Sequence, residues 1–325
     1  MVLNIGVIGA GVWGKNHIRV ISEIGSANLI RVADLEENSL NGLSKTFKID
    51  VTKDYKDILN DSEIEAVSIC TPASTHYKII KDALEAGKHV LVEKPLALNS
   101  KDGEELVELA KDKGRILMVG HIFRFNPGVL RLKEEIKKGT FGKIYFMYGS
   151  RMGLMTPRPD CGVIFDFALH DIDTFCFLLD DLPIEVNRVS NSYTRSKFED
   201  VGFVTLKFKG NILANVGVSW LSPVKVRELW LVGEKKSAKL DYLTQELEIF
   251  DRGIEERFEE RYESFGAFKL ITRQGDDYKP RIENKEPLKE EILHFIDCVI
   301  NNKKPIVDGK VGVEIIKILE RVIEK

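Results

Sequence analysis

The feature that most restricts the fold is a glycine-rich turn near the beginning of the sequence, in the segment NIGVIGAGVWG. Gly9, Gly11 and Gly14 form a Gly-x-Gly-x-x-Gly pattern that leaves an apolar strand and opens a helix, and Asp34 ends the next predicted strand. Gly9 permits a tight turn, Gly11 lets the backbone approach a pyrophosphate, and Gly14 allows close helix–strand packing. This context predicts a dinucleotide-binding turn with the phosphates at the helix N-terminus. The alternative is a glycine-rich turn with a structural role only.

Asp34 also bears on the choice of cofactor. Its carboxylate can accept hydrogen bonds from the adenosine ribose hydroxyls and would repel a 2′-phosphate. Glu36 and Glu37 follow and add negative charge. The sequence therefore predicts NAD rather than NADP. Val12 and Trp13, which lie inside the glycine turn, are included among the predicted cofactor-binding residues.

Apolar strands alternate with amphipathic helical segments through the first third of the chain. After the glycine turn come AVSICTP at 66–72, HVLVEKP at 89–95 and RILMVGH at 115–121. Continuous apolar strands between helices are typical of βαβ units, in which a parallel sheet is covered on both faces. Residues 1–121 are therefore predicted to form a Rossmann domain with a doubly wound parallel sheet.

The pattern changes in the second part of the chain. Polar and apolar residues alternate from Ile212 to Trp220, and KGN at 209–211 is a hairpin signal. Such strands predict an antiparallel sheet with one face on its own core. The segment after Pro287 is predicted to be helical with an interruption at Pro305, and the charged segment DRGIEERFEERYES is predicted to be solvated.

Length and composition limit the class of protein. A chain of 325 residues exceeds what one hydrophobic core usually holds, so residues 122–325 are expected to form a second domain. The formal net charge of -3 argues against a nucleic-acid partner. No apolar run approaches the roughly 20 residues needed to cross a membrane, and the N-terminus lacks a cleavable leader, so a cytoplasmic location is expected. The four cysteines include no Cys-x-x-Cys pair, so neither a metal site nor a disulfide framework is predicted.

A pair of opposite charges breaks the pattern of one apolar strand at its end. In HVLVEKP, Glu93 and Lys94 follow an apolar run and precede Pro95. Ligands of a dinucleotide-binding fold lie beyond the carboxyl ends of its strands, so both side chains are expected to face the nicotinamide. Lys94, held by Glu93, can hydrogen-bond a substrate hydroxyl and stabilise charge that develops on its oxygen. A surface salt bridge is the alternative.

A second polar group lies on an otherwise hydrophobic helix, predicted over residues 162–180. Asp166, His170 and Asp173 occur at i, i+4 and i+7, which places them on one face. An imidazole has an ordinary pKa of about 6.5 and can accept a proton near neutrality, so His170 is a candidate general base. Asp166 would orient the ring. A core histidine bonded to local carboxylates is the alternative.

These motifs occur together and in order with CTPASTH at 70–76, and the chain resembles the Gfo/Idh/MocA family of NAD(P)-dependent oxidoreductases over nearly its whole length. The resemblance implies a Rossmann domain followed by an α/β domain with a large, mostly antiparallel sheet, through which dimers or tetramers form. It implies that Lys94 and His170 are the catalytic pair, that Asp166 supports the histidine and that Asp173 binds substrate hydroxyls. The residues implied on the nicotinamide side are Thr71, Pro72 and His76.

Two further segments, VGHIFRFNP at 119–127 and residues 150–173, are similar to the subgroup of UDP-N-acetylglucosamine 3-dehydrogenases. Enzymes of this subgroup oxidise the C3 hydroxyl of the sugar to a ketone. In such an enzyme Arg124, Arg151 and Arg158 would supply the fork-shaped donors that a diphosphate needs. Each of these arginines also fits an ordinary surface position.

The resemblance leads to a mechanistic hypothesis. His170 would take the proton of the C3 hydroxyl while Lys94 stabilises the developing alkoxide, and hydride would pass from C3 to NAD. One alternative is a dehydrogenase of a free cyclitol or monosaccharide. Another, from a different class, is a non-catalytic sensor that binds the dinucleotide.

Overall fold

The computed structural model describes residues 2–158, 161–194, 197–255 and 271–324. The chain divides into two compact units. The first unit contains Met1–Phe125 and Lys285–Glu320, and the second contains Asn126–Asn284 and Arg321–Lys325. The charged segment DRGIEERFEERYES lies, from residue 256 onward, outside the described residues.

Within the described part of the first unit, six parallel strands form one sheet in the order β3-β2-β1-β4-β5-β6. The strands are β1 (Leu3–Ile8), β2 (Ala27–Ala33), β3 (Asp50–Thr52), β4 (Ala66–Ile69), β5 (His89–Glu93) and β6 (Leu117–Gly120). This order is that of a doubly wound dinucleotide-binding sheet and confirms the predicted fold. The sequence pattern misses β3, because this short strand is exposed and lacks a continuous apolar run.

Helices connect the strands of this sheet. They are α1 (Val12–Glu23), α2 (Glu37–Leu40), α3 (Leu43–Phe47), α4 (Lys56–Leu59), α5 (Ala73–Glu85) and α6 (Ser100–Asp112), and a 3-10 turn (Ile122–Phe125) follows β6. The helical stretch predicted after β2 is split into α2 and α3, because Gly42 adopts a φ of 82° between them. Asn99 caps α6, since its side-chain oxygen accepts the N–H of Asp102 at 2.9 Å.

In the described part of the second unit, seven strands form a mostly antiparallel sheet in the order β13-β12-β11-β7-β10-β9-β8. The strands are β7 (Ile144–Leu154), β8 (Glu185–Asn191), β9 (Val201–Lys207), β10 (Leu213–Ser219), β11 (Leu221–Gly233), β12 (Ser237–Asp241) and β13 (Leu247–Phe250). Among neighbours in this sheet, β7 and β10 run parallel and the other pairs are antiparallel. A separate hairpin contains β14 (Arg252–Glu255) and β15 (Ile271–Gln274). The large, mostly antiparallel sheet expected for this half of the chain is confirmed.

Local signals in the sequence account for several elements of this unit. Helix α7 (Pro127–Lys137) begins where Asn126 accepts the N–H groups of Gly128 and Val129. The predicted KGN hairpin joins β9 to β10, with Gly210 at a φ of 71°. The alternating apolar residues of β10, which are Ala214, Val216 and Val218, are buried as predicted, and Gly217 and Ser219 are buried too. A π-helical turn (Ile164–Ala168) precedes α8 (Leu169–Leu179).

Two helices close the chain, α9 (Pro287–Ile300) and α10 (Gly309–Ile323), and Pro305 lies between them as predicted. Through Glu320 these helices belong to the first unit. The N–H of Val119 in β6 donates to the Val307 carbonyl oxygen at 3.0 Å, so the closing segment also bonds to the edge of the parallel sheet. Helices α9 and α10 add apolar side chains to the core around this sheet. These are Leu288, Ile292, Phe295, Val313 and Ile316.

The predicted domains, 1–121 and 122–325, therefore differ from the observed units in two ways. The boundary falls a few residues later, after the 3-10 turn, and the closing helices belong to the first unit. The apolar spacing of a helix reveals that one face is buried but does not reveal which core buries it. The sequence pattern alone therefore could not show that α9 and α10 belong to the first unit.

Neither a membrane-spanning helix nor a disulfide occurs in the described residues, which include all four cysteines. Cys176 and Cys298 are buried, and Cys70 and Cys161 are half-buried. The described residues also contain no cluster of three or more histidine, cysteine or carboxylate side chains arranged to hold a metal ion.

Candidate active site

The glycine turn after β1 leaves room for a ligand. Gly9 adopts a φ of 98°, and a Cβ atom there would lie 2.7 Å from the carbonyl oxygen of Cys70. A Cβ at Gly14 would lie 1.9 Å from the Gly9 carbonyl oxygen, so α1 can pack on the turn only if residue 14 lacks a side chain. A Cβ at Gly11 would meet no described atom within 4 Å. Open space therefore faces the backbone at the position where the sequence predicts a pyrophosphate.

The surroundings of this turn fit a dinucleotide. Helix α1 begins at Val12, and its N-cap residue is a glycine with no side chain that could accept the first-turn N–H groups. Val12 and Trp13 are exposed beside the turn. Asp34 is half-exposed, and its Oδ2 accepts the N–H of Ala10 at 2.6 Å while its Oδ1 accepts that of Glu36 at 2.8 Å. Free N–H groups suit a pyrophosphate, and the adjacent carboxylate suits a ribose.

His76 in α5 joins the segment after β4 to the segment after β5. It is buried, with Nδ1 2.7 Å from the Pro95 carbonyl oxygen and Nε2 2.9 Å from the Thr71 carbonyl oxygen. Burial lowers the pKa of His76 more than these backbone contacts raise it, so the ring is neutral near pH 7 and donates through one nitrogen at a time. Pro72 is the N-cap residue of α5. His76 thus supports both segments through their backbone.

The end of β5 carries a connected group of charges. Oε2 of Glu93 accepts the backbone N–H of Lys94 at 3.3 Å, and the Lys94–Pro95 peptide bond is cis. Oε1 of Glu93 lies 3.1 Å from Nε2 of His17, which is buried in α1. Reasoning from the sequence missed His17. The sequence does contain a sign of its role. His17 is a polar residue on the same face of α1 as Ile21, where an apolar core residue is expected.

Asp166 and His170 in the second unit lie on either side of a change in helix type. The π-helical turn contains Asp166, and α8 begins at Leu169, immediately before His170. Asp166 is 8% exposed, Asp173 is 1% exposed and His170 is half-buried. The structure thus differs from the continuous α-helix predicted over 162–180, because a π turn holds an additional residue relative to an α-helical turn.

The arginines predicted to bind a diphosphate have three different surroundings. Arg158 lies beside Asp166, with 3.4 Å between a guanidinium nitrogen and Oδ1. Arg151 is buried, and its Nε donates to Oδ2 of Asp171 at 2.7 Å. Arg124 lies in the first unit and donates to the Ile306 carbonyl oxygen at 3.4 Å. The structure therefore connects Arg158 to the π turn through Asp166, and Arg151 to α8, which carries His170, through Asp171.

Asp171 and Arg227 complete this group and were not predicted from the sequence. Asp171 is fully buried, and its Oδ1 accepts the hydroxyl of Tyr242 at 3.2 Å. Arg227 pairs with Arg151 across β11 and β7, and its guanidinium lies 4.5 Å from the ring centre of Phe167 in the π turn. Burial, reinforced by the charge of Arg151, lowers the pKa of Arg227 to about 10. The register of β7 and β11, which brings the two arginines together, cannot be read from either strand alone.

Comparison with known proteins gives matches to both halves of the chain. Residues 3–121 match an oxidoreductase family with an NAD-binding Rossmann fold, and residues 129–239 match the GFO/IDH/MocA C-terminal domain. Myo-inositol 2-dehydrogenase of Thermotoga maritima is 30% identical, with 95% of this chain and 92% of that protein aligned. UDP-N-acetylglucosamine 3-dehydrogenase of Acidithiobacillus ferrooxidans is 25% identical, with 95% of this chain and 93% of that protein aligned.

Solved structures support the same fold. The structure of the Acidithiobacillus ferrooxidans UDP-N-acetylglucosamine 3-dehydrogenase has a TM-score of 0.84 and 24% identity over 99% of this chain and 96% of that one. Levoglucosan dehydrogenase in complex with NADH and levoglucosan has a TM-score of 0.83 and 20% identity over 100% of this chain and 97% of that one. At these identities the structural similarity supports the fold and not the substrate.

Proposed function

Because the chain belongs to the Gfo/Idh/MocA family of NAD-binding oxidoreductases, we propose that it oxidises the C3 hydroxyl of UDP-N-acetylglucosamine to a ketone. The family establishes an NAD-binding oxidoreductase, and its dehydrogenase members support a sugar or cyclitol hydroxyl as the reacting group. The identity of the sugar is the part that we propose.

The observation that carries this choice is the group of three guanidinium side chains around the π turn and α8. Arg151, Arg158 and Arg227 are associated there with the carboxylates of Asp166 and Asp171. The lowered pKa of Arg227 is what is expected of a guanidinium in a half-buried place with a like charge beside it. A nucleoside diphosphate has the charge and geometry to pair with such groups, whereas a free cyclitol is neutral.

Each candidate catalytic residue has a distinct role in the proposal. Bound NAD supplies the hydride acceptor. His170, whose ordinary pKa is near neutrality, accepts the proton of the substrate hydroxyl. The ammonium group of Lys94 donates a hydrogen bond to the same oxygen as negative charge develops there. Asp166 orients His170, and Asp173 is proposed to bind substrate hydroxyls.

The chain's own groups also account for cofactor binding in the proposal. The N–H groups at the start of α1 receive the pyrophosphate beside Gly11, and Asp34 receives the adenosine ribose. Thr71 and Pro72 contact the nicotinamide side, and His76 holds their segment to that of Lys94. These assignments rest on the open space at Gly11 and on the hydrogen bonds of Asp34 and His76.

Turnover with trapping of the product tests this function. The protein is incubated with NAD and UDP-N-acetylglucosamine, with 2-oxoglutarate added in a parallel sample so that reduced cofactor can be reoxidised in place. NADH absorbance reports oxidation, and reduction of the product with borodeuteride labels the oxidised carbon. Deuterium at C3 is the expected result. Absence of any deuterated UDP-sugar in both samples would exclude this substrate.

A second candidate is a dehydrogenase of a free cyclitol or monosaccharide. It is favoured by the 30% identity to the myo-inositol 2-dehydrogenase of Thermotoga maritima, over nearly the whole of both chains. Values of kcat/KM for myo-inositol, glucose and UDP-N-acetylglucosamine separate the two candidates. A larger value for either uncharged substrate would favour the second one. A sensor without activity would bind NAD and turn over none of the three.

Self-association through the sheet of the second unit belongs to the same proposal, as a homodimer or homotetramer. Apolar side chains on the face of this sheet opposite the buried residues of β10 form an exposed sheet patch, which contains Phe146, Val189, Phe203 and Leu213. Phe146 pairs with Leu213, and Val189 pairs with Phe203, across neighbouring strands. Asn215 and Thr205 lie between these two apolar pairs, and exposed apolar side chains grouped on one face of a sheet are typical of a protein interface. We also propose a cytoplasmic location, which the reduced cysteines favour.

A further inference from the structure

A row of buried polar side chains lies next to the end of β5 in the first unit. Oγ of Ser68 in β4 lies 2.8 Å from Nδ1 of His17, and Nε2 of His17 lies 3.1 Å from Oε1 of Glu93. His17 is 0% exposed and Ser68 is 1% exposed. Burying polar groups is unfavourable unless they are hydrogen-bonded, and here each one has a partner. The row connects α1, which carries the glycine turn, to the strand end that carries Lys94.

His17 and Glu93 carry opposite charges within this row. Burial alone lowers the pKa of His17, but Cys70 and Glu93 reverse that effect and hold the His17 pKa well above its ordinary value. Burial raises the pKa of Glu93, but the hydrogen bond from His17 and the charge of Lys94 outweigh it and lower that pKa. An imidazolium and a carboxylate therefore form a buried ion pair near neutral pH.

A second carboxyl group interacts with this pair from α9. Glu291 is 0% exposed, and neither of its carboxyl oxygens has a hydrogen-bond partner among the described residues. Burial raises the pKa of Glu291 well above its ordinary value, the charge of Glu93 raises it further, and His17 opposes both. Glu291 is therefore a neutral acid, and it does not compete with Glu93 for the positive charge of His17.

We infer that His17 is a positioning residue for Lys94 and acts through Glu93. One carboxylate oxygen of Glu93 contacts His17 and the other accepts the backbone N–H of Lys94, so the carboxylate is fixed on both sides. Without His17, one oxygen of Glu93 loses its partner, and the carboxylate that accepts the backbone N–H of Lys94 is no longer fixed. The direction in which the Lys94 side chain leaves the end of β5 is then less strictly defined, and its ammonium is less well placed for the substrate hydroxyl. The inference rests on the catalytic role proposed above for Lys94.

A double-mutant cycle of His17→Gln and Glu93→Gln tests the inference in the full-length protein, with NAD and UDP-N-acetylglucosamine. His17→Gln is expected to lower kcat by about tenfold or more while the Kd for NAD stays within about twofold. Adding His17→Gln to Glu93→Gln is expected to cause no further loss, because His17 acts through Glu93. If the fold-loss of kcat in the double variant equals the product of the losses in the two single variants, the inference is wrong.

The pH dependence of kcat separates positioning from a folding defect. The titratable groups that face His17 are Cys70, Glu93 and Glu291, with Lys94 adjacent to Glu93. His17 lowers the pKa of Glu93, so in the His17→Gln variant Glu93 becomes protonated at a higher pH than in the wild type and then no longer holds Lys94 as a carboxylate. The ratio of wild-type to variant kcat is therefore expected to grow as pH falls. A ratio that is constant with pH indicates only a loss of folded protein and contradicts the inference.

Two further measurements keep failure of the inference distinct from failure of the proposed function. If Lys94→Ala keeps wild-type turnover, the role proposed for Lys94 is wrong. If Lys94→Ala is inactive while His17→Gln is fully active, only the positioning role fails.

A nitrogen NMR spectrum of the His17 ring needs no turnover, and it is expected to show an imidazolium at neutral pH. A neutral ring there would contradict the ion pair. His89→Gln, at the opposite end of β5, is the matched histidine control and is expected to leave kcat unchanged.

Discussion

Arg227 lies directly opposite Arg151 on the neighbouring antiparallel strands β11 and β7. Like charges in directly opposite positions destabilise a sheet unless anions compensate them. Oδ2 of Asp171 accepts a hydrogen bond from Nε of Arg151 at 2.7 Å. One guanidinium nitrogen of Arg227 donates instead to the carbonyl oxygens of Met152 and Val226, which carry no net charge. The carboxylates of Asp171 and Asp166 also stabilise the charge of Arg227, and a bound anion would add to their effect.

Arg227→Gln is expected to raise the KM for UDP-N-acetylglucosamine by about tenfold, since a charge-assisted contact to the diphosphate is lost, with a smaller effect on kcat. Steady-state kinetics and competition by UDP measure this change. Arg281→Gln, an exposed arginine of the same unit, is the control. An unchanged KM and an unchanged inhibition constant for UDP would exclude a diphosphate contact by Arg227.

Lys94→Ala and His170→Ala are each expected to lower kcat by about 100-fold or more, because one removes the stabilisation of the developing charge and the other removes the base. The affinity for NAD, measured by calorimetry, is expected to stay within about threefold, since neither side chain is proposed to bind the pyrophosphate. Lys101→Ala, at an exposed position of α6, is the control. A variant with near-normal turnover would remove that residue from the proposed mechanism.

Asp34→Asn is expected to raise the KM for NAD by about tenfold and to reduce the preference for NAD over NADP, because the amide no longer repels a 2′-phosphate. The single amide oxygen can still accept the N–H of Ala10, but the hydrogen bond from the N–H of Glu36 is then lost. The measurement is kcat/KM for both cofactors, with Asp112→Asn as an exposed control. Equal values for NAD and NADP in the unmodified protein would show that Asp34 does not select the cofactor.

The exposed sheet patch is expected to be buried between copies of the chain. Phe203→Asp places a charge within this patch, where Phe203 pairs with Val189 and Gly217. Sedimentation velocity is expected to show an oligomer for the wild type and a monomer for the variant, since burying an unpaired carboxylate is unfavourable. Leu98→Asp, at an exposed apolar position of the first unit, is the control. A monomeric wild type would contradict the proposed assembly.

Glu291→Gln is expected to change the pH dependence of stability. Above the ordinary glutamate pKa of about 4.3, the unfolded chain releases the Glu291 proton while the folded chain keeps it. The contribution of this group to the free energy of unfolding is therefore complete at low pH and falls as pH rises towards the raised pKa of the folded state.

The glutamine variant cannot ionise, so its stability relative to the wild type is expected to increase as pH rises from about 4 to about 8. Urea unfolding at several pH values measures this difference. Glu290→Gln, the neighbouring residue with a more accessible carboxylate, is expected to show no such trend. A difference that is constant with pH would show that Glu291 is ionised in the folded chain.

The sequence predicts those parts of the fold in which a short pattern has one structural outcome. The glycine turn, the Asn126 cap of α7 and the KGN hairpin are local arrangements, fixed by backbone geometry and by hydrogen bonds between near neighbours. The assignment of α9 and α10 to the first unit depends on packing between segments that are far apart in the sequence, which a local pattern does not contain.

Prediction of the candidate site from the sequence is limited in the same way, because a local pattern does not reveal contacts between distant segments. Glycine spacing and the charges around Lys94 and His170 are visible as departures from an apolar pattern. His17, Glu291 and Arg227 are single polar residues within ordinary amphipathic elements, and their partners lie in other helices or strands. Only the folded chain reveals that two of them belong to one buried charge group and that the third faces another arginine.

Helices α9 and α10 follow almost the whole of the second unit in the sequence, yet they complete the core of the first unit. While the middle of the chain is being translated, the apolar surface that α9 will cover is accessible to solvent and to other nascent chains. A truncated transcript ending after Phe125 would encode an aggregation-prone fragment rather than a small NAD-binding domain. Translation must therefore pass through the whole of residues 126–284 before the core beneath the dinucleotide turn is complete.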